Sequence, residues 1–391
     1  MKAARKVKLL TALSWPQRVE AAFFAAKAEA LPDPPPVATD LASQRAELVA
    51  LRDAADRGDP RGAFLAATAA SYIDAVDLLR AAGTPEFVRL SRRMYGAPDM
   101  RIGGADDTFL DAAEHHLDRT RGFASPPAEQ ALGAEEAAVL LRGWLAERMT
   151  RPPRVELDAQ LTSLATAGSK RIRLRGTASF THTQLEQLLQ HEAMVHSATA
   201  QNGRAQPELT SLSLGAPRTT ATQEGLATFA ELITDTMDLR RLRRIALRVR
   251  ALAAALDGAD FLQIYRLFRE EGYGERESFR SAARVFRGGD VRGGVAFTKD
   301  CVYLRGLVEV HAFLLLAARE GRPELVRSAF IGRLTLGDAV RLAPLVEAGT
   351  LREPEVMPAW ARRVDRLAAY LVVAGFSTRI DLDALTLTDF A

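Results

Sequence analysis

Residues 183–196 read Thr183-Gln-Leu-Glu-Gln-Leu-Leu-Gln-His-Glu-Ala-Met-Val-His196. Thr183 and Glu186 have capping-box spacing, and Leu185, Leu188 and Leu189 make an inward stripe at helical period. A helix is therefore expected here, carrying His191, Glu192 and His196. Immediately before it the period changes to two: Val155 and Leu157 alternate with Glu156 and Asp158, and Ile172 and Leu174 alternate with Arg171, Arg173 and Arg175. With Gly168-Ser169 as a turn, this predicts a small antiparallel hairpin or three-stranded sheet ahead of the histidine helix. The remaining text is helical, so the expected class is mainly α, with the α+β element confined to that sheet.

Outward from this segment, helical patterns run over 40–57, 61–81, 107–120 and 134–151, and Ser14-Trp-Pro-Gln17 has the form of a capping box opening an earlier helix. The proline run Leu31-Pro-Asp-Pro-Pro-Pro36 reads as a linker. Three parts are expected: an N-terminal arm and linker (1–36), a helical subdomain (37–152) and a catalytic region (153–391). Breaks in the second half fall at 202–220, 272–274, 287–297 and 350–358, and no internal repeat is evident.

The chain has 391 residues, 48% apolar and 26% charged, enough to bury a core. Lys plus Arg number 52 against 49 Asp plus Glu, so the charge of +3 gives no ground for a nucleic-acid partner. A single cysteine, Cys301, excludes an intramolecular disulfide and a multi-cysteine zinc site, and reads as a buried thiol in a reducing compartment. The apolar run 9–13 is too short for a signal-peptide core, and 306–318 is interrupted by Glu309 and His311 and falls short of the ~20 residues of a membrane span. A cytoplasmic protein with no membrane partner is expected.

Two histidines with a glutamate beside the first is the composition of a helix that holds zinc and supplies a general base. The spacing differs from the common H-E-x-x-H. At about 100° per residue, His191 and His196 would lie about 140° apart on a regular α-helix, so convergence on one ion needs a π-type turn, or His196 at the helix end. The alternative is two unrelated histidines. A third donor comes from Thr222-Gln-Glu-Gly-Leu-Ala227, where a threonine cap at 220 or 222 would put Glu224 in a first turn, its carboxylate favoured by the helix dipole, with Gly225 allowing close approach of another backbone. Alternatively, Glu224 is simply a helix-N-terminal acid. His191, His196 and Glu224 plus one water would complete a catalytic zinc shell with an open position.

These blocks, with Asn202-Gly-Arg-Ala-Gln-Pro207 and Phe297-Thr-Lys-Asp-Cys-Val-Tyr-Leu-Arg-Gly306, resemble the QEGLA-motif family. Its bacterial members are labelled flavohaemoglobin expression-modulating proteins and its animal members microtubule-associated tyrosine carboxypeptidases. The resemblance spans about 155–316 and implies an atypical H-E-x-x-x-H metallopeptidase, with His191, His196 and Glu224 as zinc ligands and Glu192 as general base. It implies a peptide or protein C-terminal tail as substrate, without indicating a cytoskeletal one.

Within the matching blocks Lys299 ranks first, followed by Arg204 and Arg292, to hold a substrate carboxylate, and Tyr303 is placed to donate to a developing oxyanion. A snorkelling Lys299 and a core Tyr303 are the structural alternatives. Thr298 reads as an N-cap. Glu231, seven residues after Glu224, shares its face and can orient a ligand imidazole. Arg240, Arg244 and Arg248 form a stripe that reads first as a solvated face. His115, His116, His182 and His311 read as structural. The rival to an enzyme is a helical regulatory or scaffold protein with a structural or decayed metal site; the intact Glu192 argues against it.

Overall fold

The computed structural model describes residues 2–123, 129–161 and 163–377. As expected, it is mainly helical, with one three-stranded sheet before the histidine helix. The helices expected over 40–57, 61–81, 107–120 and 134–151 are Ala42–Ala54, Pro60–Arg80, Phe109–Arg119 and Ala134–Arg148. Pro85–Tyr95 is a further helix that the pattern did not single out.

The sheet is mixed, not antiparallel. β1 (Arg154–Asp158), β2 (Ala165–Ala167) and β3 (Arg171–Arg175) lie in the order β1-β3-β2, with β3 parallel to β1 and antiparallel to β2. Gly168-Ser169 turns β2 into β3, and residues 159–164 carry the chain across so that β3 inserts between its predecessors. β2 is three residues long and alanine-rich, so its period is not legible. Val155, Ile172 and Leu174 are buried with Ala137, Leu141 and Leu145 of the Ala134–Arg148 helix and with Leu185, Leu189 and Ala193 of the histidine segment. One layer of apolar side chains thus seats that segment on the sheet.

Two cap expectations are corrected. The histidine helix starts at His182 and is closed by a Thr181–Gln184 capping box, two residues earlier than expected, which leaves Thr183 inside the first turn. Ser14 donates back to the Leu10 carbonyl instead of capping the Gln17–Ala25 helix. The N-terminal residues are packed: Phe23 lies against Phe261 and Phe279 at ring distances of 5.4 and 5.0 Å. Pro60–Arg80 and Thr298–Arg319 are long and apolar enough to cross a membrane by length and composition. Their apolar residues, among them Ile73, Val76, Leu304 and Val310, contribute to the buried cores.

The Thr220–Ile233 and Cys301–Arg319 helices cross at glycines. A Cβ on Gly225 would lie 2.3 Å from the Gly306 carbonyl oxygen, and one on Gly306 would lie 2.1 Å from that of Ala221. This is the close approach expected of Gly225. Both obstacles are backbone, so neither can swing aside. Gly306→Ala is expected to push the helices apart at a cost of about 1–3 kcal/mol, seen as a lower urea midpoint. An unchanged midpoint would show that the helices do not meet there.

Candidate metal centre

Residues Leu189–Ser197 form a π-helix. Its i→i+5 hydrogen bonding widens the turn, and His191 and His196, five apart, meet with ring centroids 4.8 Å apart. This is the π-type turn that the spacing required. Glu224 comes from the neighbouring Thr220–Ile233 helix, and one donor atom from each of His191, His196 and Glu224 lies within 4.8 Å of the other two. The Glu224 Oε2 atom is 3.4 Å from His191 Nε2 and 3.7 Å from His196 Nε2. Two imidazole nitrogens and a carboxylate oxygen, converging in a largely buried pocket, fit a divalent transition metal.

Glu224 does not lie in a first turn. A 3-10 turn over Pro217–Thr219 precedes the helix, Thr219 gives no side-chain cap, and Thr222 instead accepts from the Leu336 amide. Lysine takes over the role expected of the dipole. Lys299 Nζ, only 5% exposed as a residue, donates to Glu224 Oε1 at 3.3 Å, leaving Oε2 for the histidines. Burial alone would raise the Glu224 pKa, but Lys299 and the two imidazoles hold it well below 4.5.

The other face of His191 is fixed as firmly. Its Nδ1 lies 2.6 Å from Glu231 Oε1, so Nε2 is the atom turned to the cluster. Glu231, fully buried, also accepts from Gln187 at 2.8 Å and from Arg241 Nε and Nη2 at 2.9 and 3.0 Å. Burial disfavours its charge, yet Arg241 and His191 pull its pKa down to about 2. Burial likewise opposes a charged His191, but its bonds to Glu224 and Glu231 raise its pKa well above 6.5.

Glu192, next to His191, makes no hydrogen bond or ion pair among the described residues. Tyr303 lies in the same cleft, its ring centroid 5.0 Å from Lys299 Nζ, and its hydroxyl oxygen accepts from Arg284 at 3.4 Å. Burial and Glu224 raise its pKa, but Lys299 and Arg284 outweigh them and bring it below 10. Thr298 is not a cap. It is buried in a 3-10 turn over Thr298–Asp300 and bonds Ser91, an arrangement that delivers Lys299 to the cluster.

Two sequence candidates stand apart. Arg204 is exposed, while its neighbours Asn202 and Gln206 do the buried work of that block: Asn202 donates to the Phe330 and Val356 carbonyls, and Gln206 to those of Ile331 and Arg352. Arg292, with a 78% exposed side chain, pairs with Asp290 in its own loop. Arg240 is exposed as a solvated face requires, but Arg244 and Arg248, with side chains 24% and 12% exposed, are not. Arg333 escaped the sequence reading altogether. It lies in an irregular loop with no motif, is largely buried, donates to the His196 carbonyl at 3.1 Å and interacts electrostatically with Glu192 and Glu224. His116 binds the Ala112 carbonyl, His182 packs on Trp144, His311 on Phe229, and Cys301 is buried; none joins the cluster.

The fold and this site define a mainly helical protein with a candidate two-histidine, one-carboxylate metal centre on a π-helix. The profile of the microtubule-associated tyrosine carboxypeptidase family matches residues 21–379, and the chain belongs to that family. Its scaffold is therefore one associated with carboxypeptidase-type hydrolysis. No curated protein matches the sequence.

Proposed function

We propose that the protein is a zinc-dependent carboxypeptidase that removes C-terminal residues from peptides or protein tails. The observation carrying this reading is the convergence of His191, His196 and Glu224 beside a glutamate, Glu192, whose carboxylate makes no hydrogen bond or ion pair among the described residues. Family membership supports the direction of cleavage. The three donors would hold the ion, which supplies Lewis acidity towards the scissile carbonyl and lowers the pKa of water. Glu192 takes the proton from the attacking water and delivers it to the leaving amine, as a carboxylate without competing bonds can. Tyr303, its phenol made more acidic by Lys299 and Arg284, donates to the oxygen on which negative charge develops. The edge strand β2, packed beside the π-helix, offers backbone groups to an extended substrate.

Lys299 acts first on Glu224, not on substrate: with its ammonium engaged at 3.3 Å it fixes the carboxylate that completes the ligand set. Lys299→Met is expected to weaken metal retention by about 10- to 100-fold, the range for a partner that orients a ligand. Competition with a chelator measures this; unchanged retention with impaired turnover would return Lys299 to substrate binding. The function itself is tested by incubating the zinc-loaded protein with a peptide library bearing free and amidated C-termini and mapping products by mass spectrometry. Stepwise loss of terminal residues from free peptides alone supports the reading, and internal cuts or no cleavage would overturn it.

A further inference from the structure

Beyond Tyr303 lies a group of cations with too few acids. Arg284 makes a bidentate pair with Asp300, both bonds at 2.6 Å. Arg248 comes no closer than 3.6 Å to the same carboxylate, and Arg287 only stacks on the Phe297 ring at 5.2 Å. Three guanidiniums thus share one carboxylate. The Nε atoms of Arg248 and Arg287 are buried and find no acceptor among the described residues. Arg244, next along the Leu239–Leu256 helix, also has an unmatched Nε, although its Nη1 reaches Glu277 at 3.1 Å.

A buried, unpaired guanidinium beside like charges is costly, and the usual resolution is a counter-ion. Burial and the repulsion of Arg284 push the pKa of Arg248 and of Arg287 down to about 10, the response of a cation whose anion is missing. The Tyr303 ring links this cluster to the metal centre, since Arg248 and Lys299 both contact it, at 5.4 and 5.0 Å from its centroid.

Building on the carboxypeptidase reading, we propose that Arg248, Arg284 and Arg287, beside the Tyr303 ring, form a binding site for a substrate carboxylate. Guanidinium forks match carboxylate geometry, and the pairing is strongest where water is excluded. The site takes the place in substrate recognition that the sequence suggested for Lys299, Arg204 and Arg292.

The test uses Glu192→Gln protein loaded with zinc, so that peptides bind without turnover. The probes are dansyl-Gly-Gly-Glu-Tyr and dansyl-Gly-Gly-Gln-Tyr, each with a free and an amidated C-terminus, followed by fluorescence anisotropy. Added to that background, Arg248→Met and Arg287→Met are each expected to weaken binding of free-terminus peptides about 10- to 100-fold, to leave amidated peptides unchanged and to retain full zinc content. Arg248→Lys should keep part of the preference. If the variants cancel the Glu-over-Gln preference instead of the free-over-amide one, the carboxylate is that of an acidic side chain, and the site stands. Variants that bind all four probes like their parent overturn it. Should the parent bind no peptide, the carboxypeptidase reading fails separately, and benzoate then probes the site alone: it should raise the melting temperature of the wild type and not of Arg248→Met. An equal rise in both overturns the proposal. Arg287→Met, which removes a buried charge with no ion pair among the described residues, should not lower the melting temperature of the free protein, whereas loss of a purely structural arginine would.

Discussion

Glu192→Gln protein is expected to keep one zinc per chain and lose hydrolysis by 100- to 10,000-fold, about the contribution of a positioned general base. The amide preserves shape but cannot accept the proton of the attacking water. His191→Ala, His196→Ala and Glu224→Ala are expected to do the reverse, each removing one of the three converging donors and with it the metal. Elemental analysis and peptide turnover on the same preparations separate the two kinds of loss. An active Glu192→Gln protein would take Glu192 out of the reaction, and gently purified wild type that neither contains nor takes up zinc would dismiss the centre and favour a helical scaffold.

Glu231→Ala is expected to destabilise the fold by about 3–5 kcal/mol, the cost of leaving a buried ion-pair partner uncompensated, and to loosen zinc about 10- to 100-fold through His191. The stranded charge is Arg241, whose side chain is 11% exposed. Gln187 and His191 lose the same acceptor. The sign of the pH dependence follows from the depressed carboxyl: ionising at about 2 in the folded chain against 4.5 ordinarily, Glu231 stabilises fully above pH 4.5, and its contribution is lost as pH falls towards 2. Urea unfolding of wild type should therefore weaken across that window, and the variant should lack this component. Equal midpoints at neutral pH would show that Glu231 bears no such load.

The histidine segment was legible because chemistry and period coincide in it. Two imidazoles, five apart beside a glutamate, admit convergence only if the helix widens, and the backbone does widen over Leu189–Ser197. Glu224 and Gly225 were legible as a candidate donor and a point of close approach, but not the 3-10 turn over Pro217–Thr219 that moves Glu224 out of the first turn, because Thr220 and Thr222 just after it suit a cap equally well. The sheet order was hidden by β2, too short to show a period. Cations proved hardest to read. Exposure separates Arg292, paired in its own loop, from Arg248, buried against Tyr303, and exposure depends on which helices cross above a residue, a tertiary fact with no local signature. Arg333 met the same limit.

The π-helix has one consequence beyond bringing its two histidines together. Returning it to ordinary winding would rotate everything after it by about 100° per residue released. The entry is pinned by the Thr181 cap and by Leu185 and Leu189 on the sheet. The exit is pinned by Thr199, bonded to Gln223, and by Asn202 and Gln206, bonded to the backbone of residues 330–356. The deficit of winding is trapped between two fixed ends, like a turn taken out of a rope before both ends are tied. The aim of His196 is thus held in torsion by two segments more than a hundred residues downstream, on either side of the Leu336–Glu347 helix, and slack in them would be felt as a turned imidazole.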